Sequence, residues 1–389
     1  MKIIKLAAIC HFGLEAVTRR EVENLGYDVV EVSDGRVIFE ADFDGLIRAN
    51  MFLRTVERIM ILLAEFNAYS FEELFDNVYK IRWEEYVPED GQFPITKATS
   101  VRSKLYSTRD IQSICKKAIV NRLTKFYTRI SMEESGAKYP VRISILKDKV
   151  SVYLDSSGES LHKRGYRTFV SKAPMSETLA ASIIMLTPYN KDRLLIDPFC
   201  GSGTIPIEAA MIAKNIAPGI KRKFVSMDWT NLISKKEWIL VREEAFDEIV
   251  DDRDIDIQAY DIDFRILKGA RANAQAMGCD NIIHFQERDI ADFSSRKKYG
   301  FVITNPPYGI RLEDTKEVSG IYRTIGKKIR EFDTWSFYIL SGYNNIEDDI
   351  GKKATKNRKI YNGMLKTYLY QYLGKKPVKN ERNNNSNIE

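Results

Sequence analysis

Two strings in this 389-residue chain gather residue types that could do chemistry. The more informative is Asn305-Pro306-Pro307-Tyr308-Gly309, which follows the apolar run Phe301-Val302-Ile303-Thr304. At about 5% usage per residue type, its first four residues should occur together in roughly a few per thousand chains of this length. They suit methylation of a planar exocyclic amine, a poor nucleophile because its lone pair is delocalised into the ring. The Asn305 side-chain oxygen and the Pro306 carbonyl can accept the two N–H bonds and turn that lone pair out of the plane. Proline lacks an N–H, so Pro306 and Pro307 stiffen the backbone and leave its carbonyls free. Tyr308 can stack on the base, as aromatic rings do in enzymes that act on flipped bases. No low-pKa general base is required, which fits a chain with only three histidines. Catalysis of this kind rests on positioning and preorganised acceptors.

The second string is Asp197-Pro198-Phe199-Cys200-Gly201-Ser202-Gly203-Thr204, between a predicted strand and a predicted helix. Glycines there let backbone approach a ligand, and the helix start offers free N–H groups. A dinucleotide loop wants a third small residue three places after Gly203. Pro206 stands there instead. The acid that opens the loop, Asp197, favours a cationic ligand over a pyrophosphate, and S-adenosylmethionine carries both a sulfonium and an ammonium group. Asp261, at the end of the next strand in Tyr260-Asp261-Ile262-Asp263, is the first choice for accepting ribose hydroxyls. Asp263 reads as a helix N-cap. Asp289, before Ile290, could accept an adenine amino group or simply end its strand.

The elements around these strings show where they must sit. From about residue 173 strands and helices alternate: strands at 194–197, 255–261, 282–289, 301–304 and 336–340, helices at 204–213, 263–277 and 317–332. That grammar predicts an α/β fold with a parallel sheet covered on both faces. Strands at 359–363 and 367–372 have no helix between them and imply an antiparallel hairpin at one edge. A long insertion at 214–256 carries Trp229 and Trp238, and 376–389 reads as a disordered tail. The front is α+β. A strand at 2–10 precedes a helix at 14–22 and a hairpin about Ser33-Asp34-Gly35. Further on, Ile111, Ile114, Cys115, Ala118, Ile119 and Leu123 mark an amphipathic helix. A second hairpin turns near Lys147-Asp148-Lys149.

Hydrophobic residues make up 44% and charged residues 29%, an ordinary globular composition that excludes collagen, a coiled coil and wholesale disorder. No run is long and apolar enough for a transmembrane helix, and the first ten residues read as a strand, not a secretory signal. Four scattered cysteines without a C-x-x-C pair fit a reducing, cytoplasmic setting, and no histidine spacing suggests a metal. The net charge of +6 is unevenly divided: −8 over 1–96, +11 over 97–172 and +3 over 173–389. The basic block suggests an anionic partner, with Lys116, Lys117, Arg122, Lys163, Arg164 and Arg167 as candidate contacts. The plain alternative is a helix face whose counter-charges fold in from elsewhere. No feature bears on oligomeric state.

Asp197–Thr204, Tyr260–Asp263 and Asn305–Gly309, in this order, resemble class I S-adenosylmethionine-dependent methyltransferases acting on exocyclic amines. Ala173-Pro174-Met175-Ser176-Glu177-Thr178-Leu179-Ala180-Ala181 and Asn305–Leu312 narrow the resemblance to THUMP-containing RNA methyltransferases, closest to bacterial 23S rRNA guanine-N2 methyltransferases. It implies a ferredoxin-like module over 1–60, a THUMP RNA-binding domain over 61–165 and a Rossmann-like class I methyltransferase domain over 166–375. It further implies donor binding at Asp197, Phe199, Gly201, Gly203, Thr204, Asp261, Ile262, Asp289, Ile290 and Asn305, with amine recognition at Asn305, Pro306, Pro307 and Tyr308. Competing readings are an adenine-N6 methyltransferase on DNA or RNA, a protein-glutamine methyltransferase, a non-catalytic ribosome-assembly protein and a nucleotide-dependent oxidoreductase. The basic 97–172 block argues against a protein substrate, the intact N-P-P-Y against a relic, and Pro206 against the oxidoreductase.

Overall fold

A computed structural model describes residues 2–167, 175–251, 254–308, 315–363 and 365–376. The chain forms two compact units, neither of them continuous in sequence. One takes Met1–Cys10, Thr18–Leu161 and Ala217–Asp247, the other His11–Val17, His162–Ile216 and Glu248–Glu389.

The first unit is built on seven strands: β1 (Ile4–Cys10), β2 (Val29–Ser33), β3 (Arg36–Ala41), β4 (Val56–Asn67), β5 (Ile95–Val101), β6 (Val141–Leu146) and β7 (Lys149–Asp155). They lie in the order β2-β3-β1-β4-β7-β6-β5. The twelve-residue β4 pairs β1 on one side and β7 on the other, so the expected division at 60/61 falls inside one strand of a continuous sheet. Both expected hairpins are present, β2–β3 and β6–β7. The amphipathic helix is α4 (Thr108–Tyr127), and Ile111, Cys115, Ala118, Ile119 and Leu123 are its buried stripe. Helices α1 (Glu15–Asn24), α2 (Phe43–Phe52) and α3 (Phe71–Lys80) precede it.

The insertion folds with this unit, because its tryptophans find their apolar surroundings there. Trp229 is fully buried, stacks on Tyr139 at 5.1 Å and donates its indole N–H to the Lys138 carbonyl at 2.7 Å. Its helix α7 (Lys235–Asp247) is held by Arg48, which grips both carboxylate oxygens of Glu244 at 2.6 and 2.7 Å.

The second unit holds β8 (Leu195–Asp197), β9 (Ile257–Asp261), β10 (Ile283–Glu287), β11 (Phe301–Thr304), β12 (Ser336–Ser341), β13 (Lys356–Asn362) and β14 (Leu365–Tyr372). Their order is β10-β9-β8-β11-β12-β14-β13; the first five run parallel, and β14 and β13 antiparallel. Helices α5 (Glu177–Met185), α6 (Thr204–Ala213), α8 (Phe264–Met277), α9 (Thr315–Glu331) and α10 (Ile346–Ile350) complete it. Val318, Tyr322, Ile325 and Ile329 of α9 pack with Ile196, Val302 and Ile339 of the sheet in one core. Strand order turns about β8, so the chain leaves β8 and β11 on opposite sides of a crevice. Ligands of open α/β sheets bind at such a switch point. The 376–389 tail beyond Lys376, Ala173-Pro174 and Gly309–Leu312 lie outside the described residues.

Candidate active site

β8 and β11 are hydrogen-bonded neighbours, with Val302 opposite Ile196. Both strings therefore leave the sheet side by side. A side-chain bond ties them: the Thr304 hydroxyl, 2% exposed, donates to Asp197 Oδ1 at 2.7 Å. The same oxygen accepts the Phe199 N–H at 3.2 Å. Burial raises the Asp197 carboxyl to about 7, against the opposing pull of these two donors, and nearby Asp261 adds to the rise. A cation placed beside it would restore the charged form.

Asp261 closes the loop from the next strand. Its Oδ2 accepts the Gly201 N–H at 3.0 Å and its Oδ1 the Asp263 N–H at 3.0 Å. A carboxylate has about four lone-pair sites, so acceptor capacity remains on both oxygens. Gly203, at φ +85°, precedes α6; a Cβ there would meet Ala270 Cβ at 3.2 Å and Ile207 Cδ1 at 3.3 Å. Thr204 opens α6 and accepts from Arg167 Nη2 at 3.2 Å. Pro206 removes one first-turn donor, so this helix start is a weak anion cradle. Ile262 is 71% exposed beside Asp261, an apolar surface suited to one face of an adenine. Asp289 is exposed and caps the short turn Ile290–Asp292 through Ala291 N–H at 2.7 Å. Asp263 caps α8, as its position suggested. Ile290 is buried in the core cluster with Tyr260 and Phe293.

On the other side of the crevice, the Tyr308 hydroxyl donates to Asn305 Oδ1. Tyr308 is largely buried, which pushes its phenol upward, and the Asn362 side chain hydrogen-bonds the same hydroxyl. Tyr308 thus orients Asn305, a role its residue type did not announce. Pro306 is buried and Pro307 exposed. The Pro307 carbonyl accepts from Tyr322 at 3.3 Å, whose hydroxyl also lies 2.6 Å from Ser341 Oγ. Thr304, Tyr322 and Asn362 escaped sequence reasoning. The one signal was a hydroxyl in the apolar stripe Val318-Tyr322-Ile325-Ile329.

The candidate RNA contacts divide. Lys117 and Lys163 are exposed. Lys116 is half-buried over the Phe93 ring and bonded to Glu134 at 2.5 Å, and Arg122 is paired with Glu84. Arg164 is corrected outright: it is 1% exposed, with its guanidinium 3.4 Å from the equally buried Glu208, because α6 carries that acid into the core. Arg167 is likewise turned inward, onto Glu177 at 3.0 Å and the Met175 carbonyl.

Family models match three segments of the chain: an RlmL ferredoxin-like domain at 5–60, a THUMP domain at 68–155 and an RMKL-like methyltransferase domain at 164–371. YpsC of Bacillus subtilis (strain 168), provisionally named an RNA methyltransferase, is 45% identical over 96% of this chain and 97% of its own. The "Ribosomal RNA large subunit methyltransferase K/L" of Photobacterium profundum is 33% identical over 94% of this chain. The chain spans about half the length of that relative, 52%. A solved structure, SMU.472, provisionally named a methyltransferase and complexed with SAH, has a TM-score of 0.91 at 40% identity, covering 97% of this chain and 100% of its own. The crevice fits the methyl donor of such enzymes: an ionisable acid for its cationic end, an acid at the end of the next strand with an apolar side chain just past it, and a glycine loop between. The chain belongs to the RMKL-like methyltransferase family, a class I methyltransferase domain that uses S-adenosylmethionine, carried behind ferredoxin-like and THUMP domains.

Proposed function

We propose that this chain methylates an exocyclic base amine in RNA, guanine N2 of 23S rRNA. The observation that supports this reading is the Thr304–Asp197 bond, which ties the residue before Asn305 to the acid that opens the glycine loop. When bound, S-adenosylmethionine supplies an electrophilic methyl group on a sulfonium. Asp197 and Asp261 would hold that donor, and exposed Ile262 would offer its adenine an apolar surface. Asn305 Oδ1 and the Pro306 carbonyl accept the two amine N–H bonds, which turns the nitrogen lone pair toward the methyl. Asn305 Oδ1 has two lone pairs, so it accepts the amine N–H while the Tyr308 hydroxyl stays bonded to it and keeps the amide from rotating. The N–C bond forms as the C–S bond breaks, and the nitrogen loses its extra proton to solvent, so no residue need act as a strong base. The THUMP side, with Lys117 exposed, and Lys163 supply affinity for the RNA backbone. The ribosomal RNA target draws support from the K/L relatives' name and the THUMP match.

The test incubates the chain and labelled donor with a modification-free 23S rRNA transcript, followed by nucleoside analysis. N2-methylguanosine is the expected product; N6-methyladenosine would redirect the reading to adenine, and no product would remove it. Asn305→Ala should lower turnover by about 10²–10³-fold while donor affinity, read by calorimetry, stays near wild type.

A further inference from the structure

The terminal hairpin carries a charge that the segment average conceals. Residues 351–376 contain eight Lys or Arg and no Asp or Glu. Among the described residues, the ion pair recorded in this stretch is Lys375–Asp333. β13 is the edge strand of its sheet.

Its pattern is specific. Lys359 lies opposite Tyr368, and Tyr361 opposite Lys366. Residues two apart on a strand share a face, so these four side chains form a checkerboard of cations and rings on one face. The Lys359 ammonium sits 5.0 Å from the Tyr361 ring centre, and Lys366 5.3 Å from that of Tyr368. Phe12, 49% exposed, meets Tyr361 edge-on at 6.1 Å. The hairpin also reaches the reaction centre. Asn362, where β13 ends, hydrogen-bonds the Tyr308 hydroxyl. A methyl placed on Gly342 would touch both Tyr308 Cδ2 at 3.4 Å and the Lys366 carbonyl at 3.6 Å.

Edge strands commonly carry lysines simply to repel other strands. That need calls for charge alone. Alternation with tyrosine on one face, ending beside the amine-binding loop, matches what grips single-stranded nucleic acid: cations for phosphates and rings for bases. We infer that the Lys359–Tyr361–Lys366–Tyr368 face of this hairpin holds the RNA strand flanking the target base. The inference rests on the RNA reading above and adds a second RNA surface, on the catalytic unit itself.

The test compares wild type with Lys359→Ala/Lys366→Ala and with Tyr361→Leu. Binding to the unmodified 23S rRNA transcript is measured between 50 and 200 mM salt, with the rRNA KM, donor affinity and sedimentation alongside. The double variant should weaken RNA binding by roughly tenfold and reduce the salt slope by about 1.4, two single-strand contacts at about 0.7 each. Tyr361→Leu should cost about fivefold or more with the slope intact. Both should raise the rRNA KM and leave donor affinity unchanged. Unchanged RNA affinity and slope overturn the inference, and self-association of the double variant would then identify edge protection as the lysines' role. If wild type methylates the transcript and the variants match it, the hairpin inference alone falls. If wild type neither binds nor methylates it, the RNA reading falls too.

Discussion

Asp197 is the residue in which structure and chemistry are most tightly linked. Its carboxyl is raised from 3.8 to about 7 by burial. The folded chain therefore holds a proton between roughly pH 4 and pH 7 that the unfolded chain has lost. The stability from this group is complete below about pH 4 and is lost as pH rises through 7. Donor binding runs the other way, since a cationic ligand favours the ionised form. Melting temperatures across pH 4–8 should fall more steeply for wild type than for Asp197→Asn. Donor affinity should climb with pH toward 7, by up to about tenfold per unit, and lose that climb in the variant. A flat wild-type affinity profile would rule out the proposed contact. The sequence singled out Asp197, Asn305 and the two glycines as candidates, because each sits in a string whose residue types are rare together. Thr304, Tyr322 and Asn362 were not legible, since each acts through a partner 15 or more positions away in the chain: Asp197, Pro307 and Tyr308 in turn.

Among the elements, α6 began and ended where its sequence predicted, Thr204–Ala213, because an αL glycine starts it and an apolar run fills it. Its interior acid was the surprise. Glu208 is fully buried and takes both the Arg164 guanidinium and, at 3.2 Å, the Tyr166 hydroxyl. Removing one member of a buried pair strands the other charge. Glu208→Ala should destabilise the chain by about 3–5 kcal/mol in denaturant melts, and Arg164→Met/Glu208→Leu should recover much of that loss. If the single variant melts like wild type, the pair is not structural. Helix α4 teaches the reverse lesson. Its apolar stripe was read correctly but for Ile114, which is only half-buried, yet Lys116 and Arg122 answer Glu134 and Glu84, so the plain account of its charges holds for these two. Periodicity reports which face is buried and is silent about which acids fold over the other face.

For the whole molecule, the three charge blocks proved a coarse guide. Acids of the first 96 residues neutralise part of the basic block, as in Arg122–Glu84, Arg129–Glu89 and Lys149–Glu65. The near-neutral last block meanwhile hides the most one-sided stretch described above. The parallel sheet and its antiparallel edge hairpin followed from the alternation of elements, but the membership of 217–247 did not, because only packing could reveal where Trp229 goes. Trp229→Ala should cost about 3–5 kcal/mol in the melting of the unit that holds Tyr139, although Trp229 falls inside the matched methyltransferase segment. Loss confined to donor binding would contradict that placement. The interleaving also bears on how the chain is made. A ribosome must deliver residue 247 before the first unit can close its core, and residues 11–17, emerging early, must wait for partners beyond residue 161. Nascent chain of this kind cannot finish one domain before beginning the next. Its folding is timed by its latest segment, and a product truncated before residue 247 would leave both units unfinished.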